Sequence, residues 1–172
     1  MKLMVIGLAA VAGVLVLALA LAWIAGRALP VAHVAEAHRH LALDRATVAA
    51  AIRDVAGHPR WRSGVRAVSV SELGNGWRGV VEDGPHGALP YRIRETSADA
   101  GFETVIDDPA LPFGGRWTFA LRDADGGTDV TLREEGEVRN PLFRFLARHV
   151  FGHERSIRTY LDDLQRLGNP TR

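Results

Sequence analysis

An α+β domain, built as a curved antiparallel sheet wrapped around a long C-terminal helix and preceded by one transmembrane helix, is the fold this chain predicts. Three observations carry it: an uncharged apolar run from Leu3 to Gly26, six successive segments of two-residue alternation between residues 65 and 138, and an amphipathic stripe from Phe143 to Leu164. Setting the apolar run apart from the 172 residues leaves enough chain for one domain with a real core. The predicted divisions are an anchor over 1–27, a linker over 28–33, a folded domain over 34–167 and a tail over 168–172.

The first element is the anchor. At a rise of about 1.5 Å per residue, roughly 20 apolar residues cross the hydrocarbon of a bilayer, and the run from Leu3 to Gly26 is longer than that. Trp23 stands where an interfacial aromatic belongs, and Arg27 and Pro30 mark the exit. The competing reading is a cleaved signal peptide, whose apolar core is shorter, about 7–15 residues; the small-x-small site Ala20-Leu21-Ala22 is followed here by bulky Trp23. Lys2 against Arg27, Arg39 and Arg45 nearly balances the positive-inside comparison. The short charged head favours an inner amino terminus and an outer domain. All but one of the basic residues are arginine, and alanine and glycine are abundant, as in a GC-rich bacterial genome. The expectation is therefore a single-pass protein of a bacterial inner membrane with its domain on the periplasmic side. Gly7 and Gly13, with nearby alanines, would let helices approach, but they lack the four-residue spacing of small residues that would specify pairing, so the sequence leaves the oligomeric state open.

Ala35 to Leu43 alternates as the first strand, with Ala35, Ala37, Leu41 and Leu43 on one face and Glu36, His38 and His40 on the other. Asp44 caps a helix whose Thr47, Val48, Ala51, Ile52 and Val55 fall at helical spacing, ended by Gly57 and Pro59; a second short helical turn carries Trp61. Strands follow over 65–73, 76–82, 91–97, 102–107, 115–122 and 128–138, separated by Gly-Asn-Gly, Pro-His-Gly, Asp-Ala-Gly and Asp-Gly-Gly turn chemistry. Gly114 and Gly115 suggest a bulge where the sheet bends. Asn140-Pro141 opens a final helix over about 141–167, with Phe143, Leu146, Val150, Ile157, Leu161 and Leu164 on one stripe.

Composition excludes several chemistries. There is no cysteine, hence no disulfide framework, thiolate metal site or cysteine nucleophile. The chain is near neutral at net charge +1, without the clustered basic surface that nucleic-acid binding requires. Charge is divided along the chain: residues 67–138 hold fourteen acids and six arginines, whereas 139–172 hold seven arginines and three acids. That basic tail reads as a solvated helix face, or as a contact to anionic headgroups. Glu36, His38 and His40 share a strand face and are ligand types that zinc accepts, but an exposed strand face needs no metal, and none is expected. No serine lies in a nucleophile-elbow pattern, and His153-Glu154 lacks the second histidine of a zinc-protease helix.

Several stretches, in this order, resemble one family. They are His58-Pro59-Arg60-Trp61 running into Gly64-Val65-Arg66-Ala67-Val68, then Pro112-Phe113-Gly114-Gly115-Arg116-Trp117, then Gly127-Thr128-Asp129-Val130-Thr131, then Glu134-Glu135-Gly136-Glu137-Val138-Arg139-Asn140-Pro141-Leu142-Phe143-Arg144-Phe145. Over residues 34–167 the chain is similar to the Bet v 1/START-like helix-grip (SRPBCC) superfamily, in its polyketide cyclase/dehydrase and lipid-transport branch. The resemblance implies a helix-grip fold and a deep apolar pocket between sheet and long helix, used across the superfamily for lipids, sterols, hormones, quinones or polyketides. It implies no single reaction, since many functions share this scaffold, and no catalytic set of the family carries over residue by residue.

Taking the apolar member of each strand pair as inward groups Trp117, Phe119 and Leu121; Val130, Leu132, Glu134 and Gly136; Tyr91, Ile93 and Glu95; and Trp77, Gly79 and Val81. The expected ligand-binding residues are Trp77, Tyr91, Ile93, Trp117, Phe119, Leu132, Glu134, His153 and Ile157. Glu95, Glu134 and His153 are the catalytic candidates: if they converged, burial would raise the carboxylate pKa values and equip them to exchange protons with a ketone or enol. The plainer reading pairs these glutamates with arginines such as Arg92, Arg94, Arg116 or Arg144.

The expected function is non-catalytic binding of a lipid or other apolar small molecule by a membrane-anchored pocket, without cofactor. A polyketide cyclase or dehydratase using a buried carboxylate and histidine is the alternative, and an interaction domain without ligand the third.

Overall fold

The computed structural model describes residues 2–85, 87–96, 101–152 and 154–168. Helix α1 (Lys2–Arg27) is followed by strand β1 (Ala32–Leu41), helix α2 (Arg45–Arg53) and a 3-10 helix (Val55–Arg60). Strands β2 (Ala67–Gly74), β3 (Trp77–Gly84), β4 (Gly87–Glu95), β5 (Phe102–Ile106), β6 (Phe113–Ala124) and β7 (Gly127–Val138) come next. The chain ends in α3 (Pro141–Leu146), a π-helical turn (Ala147–Phe151) and α4 (Arg155–Gly168).

The seven strands form one antiparallel sheet in the order β1-β7-β6-β5-β4-β3-β2. Hairpins join β2 through β7, and β1 closes onto β7 through ten paired positions from Ala32↔Glu137 to Leu41↔Thr128. Helices α2 and α4 pack against one face of the sheet, over β1, β6 and β7, which is the helix-grip arrangement.

Local chemistry explains the helix starts. Asp44 accepts the Thr47 amide at 2.9 Å and Asp54 accepts the Gly57 amide at 3.1 Å; Asn140 accepts the amides of Leu142 and Phe143 at 2.9 and 3.3 Å, with Pro141 in the first helical position. Asp44 is held below the usual carboxylate pKa by the Thr47 hydroxyl and amide.

The C-terminal helix is interrupted where a continuous one was expected. The π-helical turn leads into Gly152, whose φ of 76° and ψ of 147° end the helical path, a conformation that glycine adopts without steric cost. Gly115 differs as well. Pairing of β6 with β7 is unbroken from Phe113 to Ala124, so no extra residue is inserted. With φ of 138°, a Cβ at Gly115 would strike the Glu135 backbone; the glycine permits close approach of two strands.

The packed core fills the end of the grip beneath α2. Leu41, Val48, Ile52, Val55, Leu121, Val130, Leu132, Ile157, Leu161 and Leu164 are all essentially inaccessible there. The alternation expected of β6 and β7 is observed, with Phe119, Leu121, Val130 and Leu132 inward. On β3 the inward residues are Val80 and Glu82, while Val81 is exposed.

From Gly7 onward helix α1 is solvent-accessible except near Gly26, and it is long and apolar enough to cross a membrane, a property shared with signal sequences. It meets the domain at α3, where a Cβ on Gly26 would collide with the carbonyl of Pro141.

Candidate functional site

Between the sheet and the α3–α4 segment lies a cavity of about 700 Å³, within the range of small-molecule sites. Its walls include Leu89, Tyr91, Ile93, Trp117 and Phe119 from the sheet, and Phe143, Ala147, Thr159 and Tyr160 from the helices. A second groove, of about 640 Å³, runs outside α4 beside β1, lined by Val34 and Ala35 and by the charged Glu154, Arg155, Arg158 and Asp162; it lacks the aromatic wall of the first cavity, which is therefore the candidate for an apolar ligand.

Tyr160 organises the aromatic wall. Its ring meets Trp61, Trp117 and Phe119 edge-on at centroid distances of 5.4, 5.8 and 5.2 Å. The Arg62 guanidinium lies over it at 4.8 Å. Complete burial pushes the Tyr160 hydroxyl far above its ordinary pKa of 10.0.

One side of this wall is polar. Oε1 of Glu82, a residue only 4% exposed, accepts from His58 Nδ1 at 2.9 Å, from the Tyr91 hydroxyl at 2.7 Å and from Arg62 Nη1. Burial acts to raise the Glu82 pKa, but the His58 hydrogen bond, the Arg62 charge and the Tyr91 hydroxyl outweigh it, and the carboxyl is held below its ordinary value. Burial, with Glu82 beside it, pushes Tyr91 well above 10.0. Because a carboxylate only accepts, Nδ1 of His58 donates, and in the neutral ring Nε2 is left as an acceptor. That Nε2 is buried with no hydrogen-bond partner among the described residues.

The expected site residues are distributed as follows. Tyr91, Ile93, Trp117, Phe119 and Glu134 line the cavity. Leu132 and Ile157 are fully enclosed in the packed end of the core. Trp77 is away from the lining, beneath the guanidinium groups of Arg92 and Arg94 at 5.0 and 4.5 Å. Glu95 pairs with Arg53 of α2 and is exposed. Glu134 is held by His33 Nε2 at 3.3 Å and the Ser156 hydroxyl at 3.2 Å, so Glu95 and Glu134 are not brought together. His153 lies outside the described residues. His38 is engaged by Glu36 at 3.1 Å and Thr131 at 2.9 Å, and His40 by Asp129 at 2.8 Å. Among the described residues, no group of three or more potential ligands is disposed to hold a metal.

The polar set of His58, Arg62 and Glu82 was not anticipated. A signal existed: the other face of the β3 alternation, Arg78, Val80 and Glu82, carries an acid at the position facing the His58-Pro59-Arg60-Trp61 turn. The profile of a family described as polyketide cyclase / dehydrase and lipid transport matches residues 32–168.

The chain belongs to this family. Three solved structures share the fold: the Zhui aromatase/cyclase from Streptomyces, with TM-score 0.65 at 14% identity over 80% of this chain and 93% of that one; a START superfamily protein from Mycobacterium smegmatis, with TM-score 0.61 at 12% identity over 80% and 98%; and a STAR-related lipid transfer protein from Xanthomonas axonopodis, with TM-score 0.54 at 19% identity over 77% and 83%. No curated protein matches the chain. Membership ties the domain to hydrophobic ligand binding or polyketide cyclase-like chemistry.

Proposed function

We propose that this protein is a membrane-anchored binder of a hydrophobic small molecule, held in the cavity between sheet and C-terminal helices and released without chemical change. The observation that carries the reading is the cavity wall. Leu89, Ile93, Ile106, Trp117 and Phe119 offer apolar contact along the sheet, where burial is worth about 25 cal/mol per Å², while polar groups gather around Glu82. The fitting ligand has an acyl, isoprenoid or sterol-like body and one oxygenated end, its hydroxyl or carbonyl directed to His58 and Arg62. Helix α1 serves as the anchor, with the domain on the periplasmic side of a bacterial inner membrane.

The test is a titration of the full chain, held in amphipol, with the fluorescent polyene fatty acid cis-parinaric acid. Energy transfer from tryptophan that saturates at one probe per chain, and falls in Trp117→Phe, supports the reading; transfer that never saturates contradicts it.

One observation favours a second reading. The His58 ring, oriented by Glu82 through Nδ1 so that Nε2 is an acceptor whenever the ring is neutral, is arranged as a general base would be, and would suit proton removal in a cyclase-like reaction. Turnover abolished by His58→Gln with ligand capture intact would distinguish it from the carrier.

A further inference from the structure

We infer that the face formed by α3 and the π-helical turn rests on the lipid bilayer and seats the mouth of the cavity in the headgroup layer, so that an apolar ligand passes between membrane and cavity without crossing water. The inference rests on the proposal that α1 spans the membrane.

The position of the bilayer boundary comes first. Helix α1 has 26 residues, about 39 Å at 1.5 Å per residue, against about 30 Å of hydrocarbon. Its final turn therefore emerges into the headgroups. That turn carries the expected markers: Trp23 is partly exposed, with the Arg27 guanidinium 5.0 Å over its ring. The same turn is docked onto the domain, because Gly26 is buried against the backbone of Pro141. A larger residue at 26 would separate the two helices; glycine brings α3 to the level at which α1 leaves the membrane.

The surface held there is apolar. Phe143, two residues beyond Pro141, is 48% exposed, and Val150 on the π-helical turn is 60% exposed. Phe113, at the start of β6, is 40% exposed and pairs with Val138 at the same end of the sheet. Single exposed apolar side chains are ordinary; two at one opening, Phe113 and Phe143, with Val150 exposed on the turn that follows α3, beside an apolar helix, are not. Phe143, Phe113, Ala147 and Gly152 also line the cavity, so the proposed contact surface and the mouth are made of the same residues. Charge agrees at one position: Arg148 is exposed on the π-helical turn, whereas Arg144 is buried and Arg139 is bound to Glu137. Such a face suits a bilayer containing anionic lipid.

The opposite end of the domain supplies a control. The Val138 amide donates to the Val31 carbonyl at 2.9 Å, beside the anchor, whereas β7 begins eleven residues earlier at Gly127, roughly 36 Å away along an extended strand. Asp125, exposed in the turn just before it, is remote from the membrane.

The chain contains no cysteine, so single cysteines can be placed in the full-length protein at I24C, F143C, V150C and D125C. Each is labelled with the fluorophore NBD and reconstituted into vesicles of phosphatidylcholine and phosphatidylglycerol with or without a nitroxide-bearing lipid. The inference predicts blue-shifted emission, quenched by the nitroxide, at F143C and V150C as at I24C, and neither effect at D125C. Emission at F143C and V150C that matches D125C while I24C is quenched overturns the inference and leaves the anchor standing. Emission at I24C that the nitroxide leaves unchanged overturns both.

Discussion

His58 and Glu82, twenty-four residues apart, are joined inside the cavity wall by a hydrogen bond of 2.9 Å from His58 Nδ1 to Glu82 Oε1. The 3-10 helix brings the histidine and β3 the acid, and Tyr91 and Arg62 complete the acceptor's shell. A carboxylate this enclosed is tolerable only because three donors meet it.

Removal of that acceptor should therefore be costly. Glu82→Ala leaves His58, Tyr91 and Arg62 facing one another without a partner, and is expected to lower unfolding free energy by about 3 kcal/mol, as when one member of a buried pair is deleted. Urea denaturation of Glu82→Ala beside Glu82→Gln checks this, with the amide variant retaining part of the loss because it still offers an oxygen.

The same groups set the pH range of stability. Glu82 is held below its ordinary 4.5, so its contribution is present above pH 4.5 and is lost as pH falls below that value. Tyr91 and Tyr160 are pushed above 10.0, so theirs is present below pH 10.0 and is lost as pH rises past it. Unfolding curves across pH should narrow at both ends, and Glu82→Gln should flatten the acid limb most and, because the Glu82 charge also raises Tyr91 and Tyr160, soften the alkaline limb.

Tyr160 supports the wall by its ring. Tyr160→Ala is expected to cost about 3–5 kcal/mol, the range for deleting a buried aromatic, whereas Tyr160→Phe keeps the contacts with Trp61, Trp117 and Phe119 and should stay close to the parent in thermal denaturation.

Two tryptophans on opposite faces of the sheet provide a paired test. Trp117→Ala opens the cavity wall and should reduce ligand capture; Trp77→Ala removes a ring that lies under Arg92 and Arg94 on the outer side and should leave capture unchanged. Equal losses in the two variants would contradict the assignment of the cavity.

Much of the fold is legible in the chain because its signals are local. Asp44 and Asn140 as caps, the turns between strands and the inward face of Trp117, Phe119 and Leu121 follow from neighbours a few residues away. The helix break at Gly152 was hidden, since the apolar stripe resumes at Ile157 on the far side, and one glycine costs a helix only about 1 kcal/mol. The β3 face was harder still. Trp77, Gly79 and Val81 form the more apolar set, yet Val80 and Glu82 point inward, because the partners that stabilise Glu82 come from His58, Arg62 and Tyr91, outside the strand. Strand alternation cannot register a polar group that is satisfied by distant donors. For the same reason Glu95 and Glu134 stood out in the sequence, although one is bound to Arg53 and the other to His33 and Ser156.

Whether the cavity carries a hydrophobic molecule is read out by native mass spectrometry of the full chain released from nanodiscs of its surrounding lipid. One apolar molecule retained at near-stoichiometric amount, and lost in Trp117→Ala, is the predicted result. A chain that emerges empty, and stays empty after exposure to a panel of lipids and quinones, would contradict it.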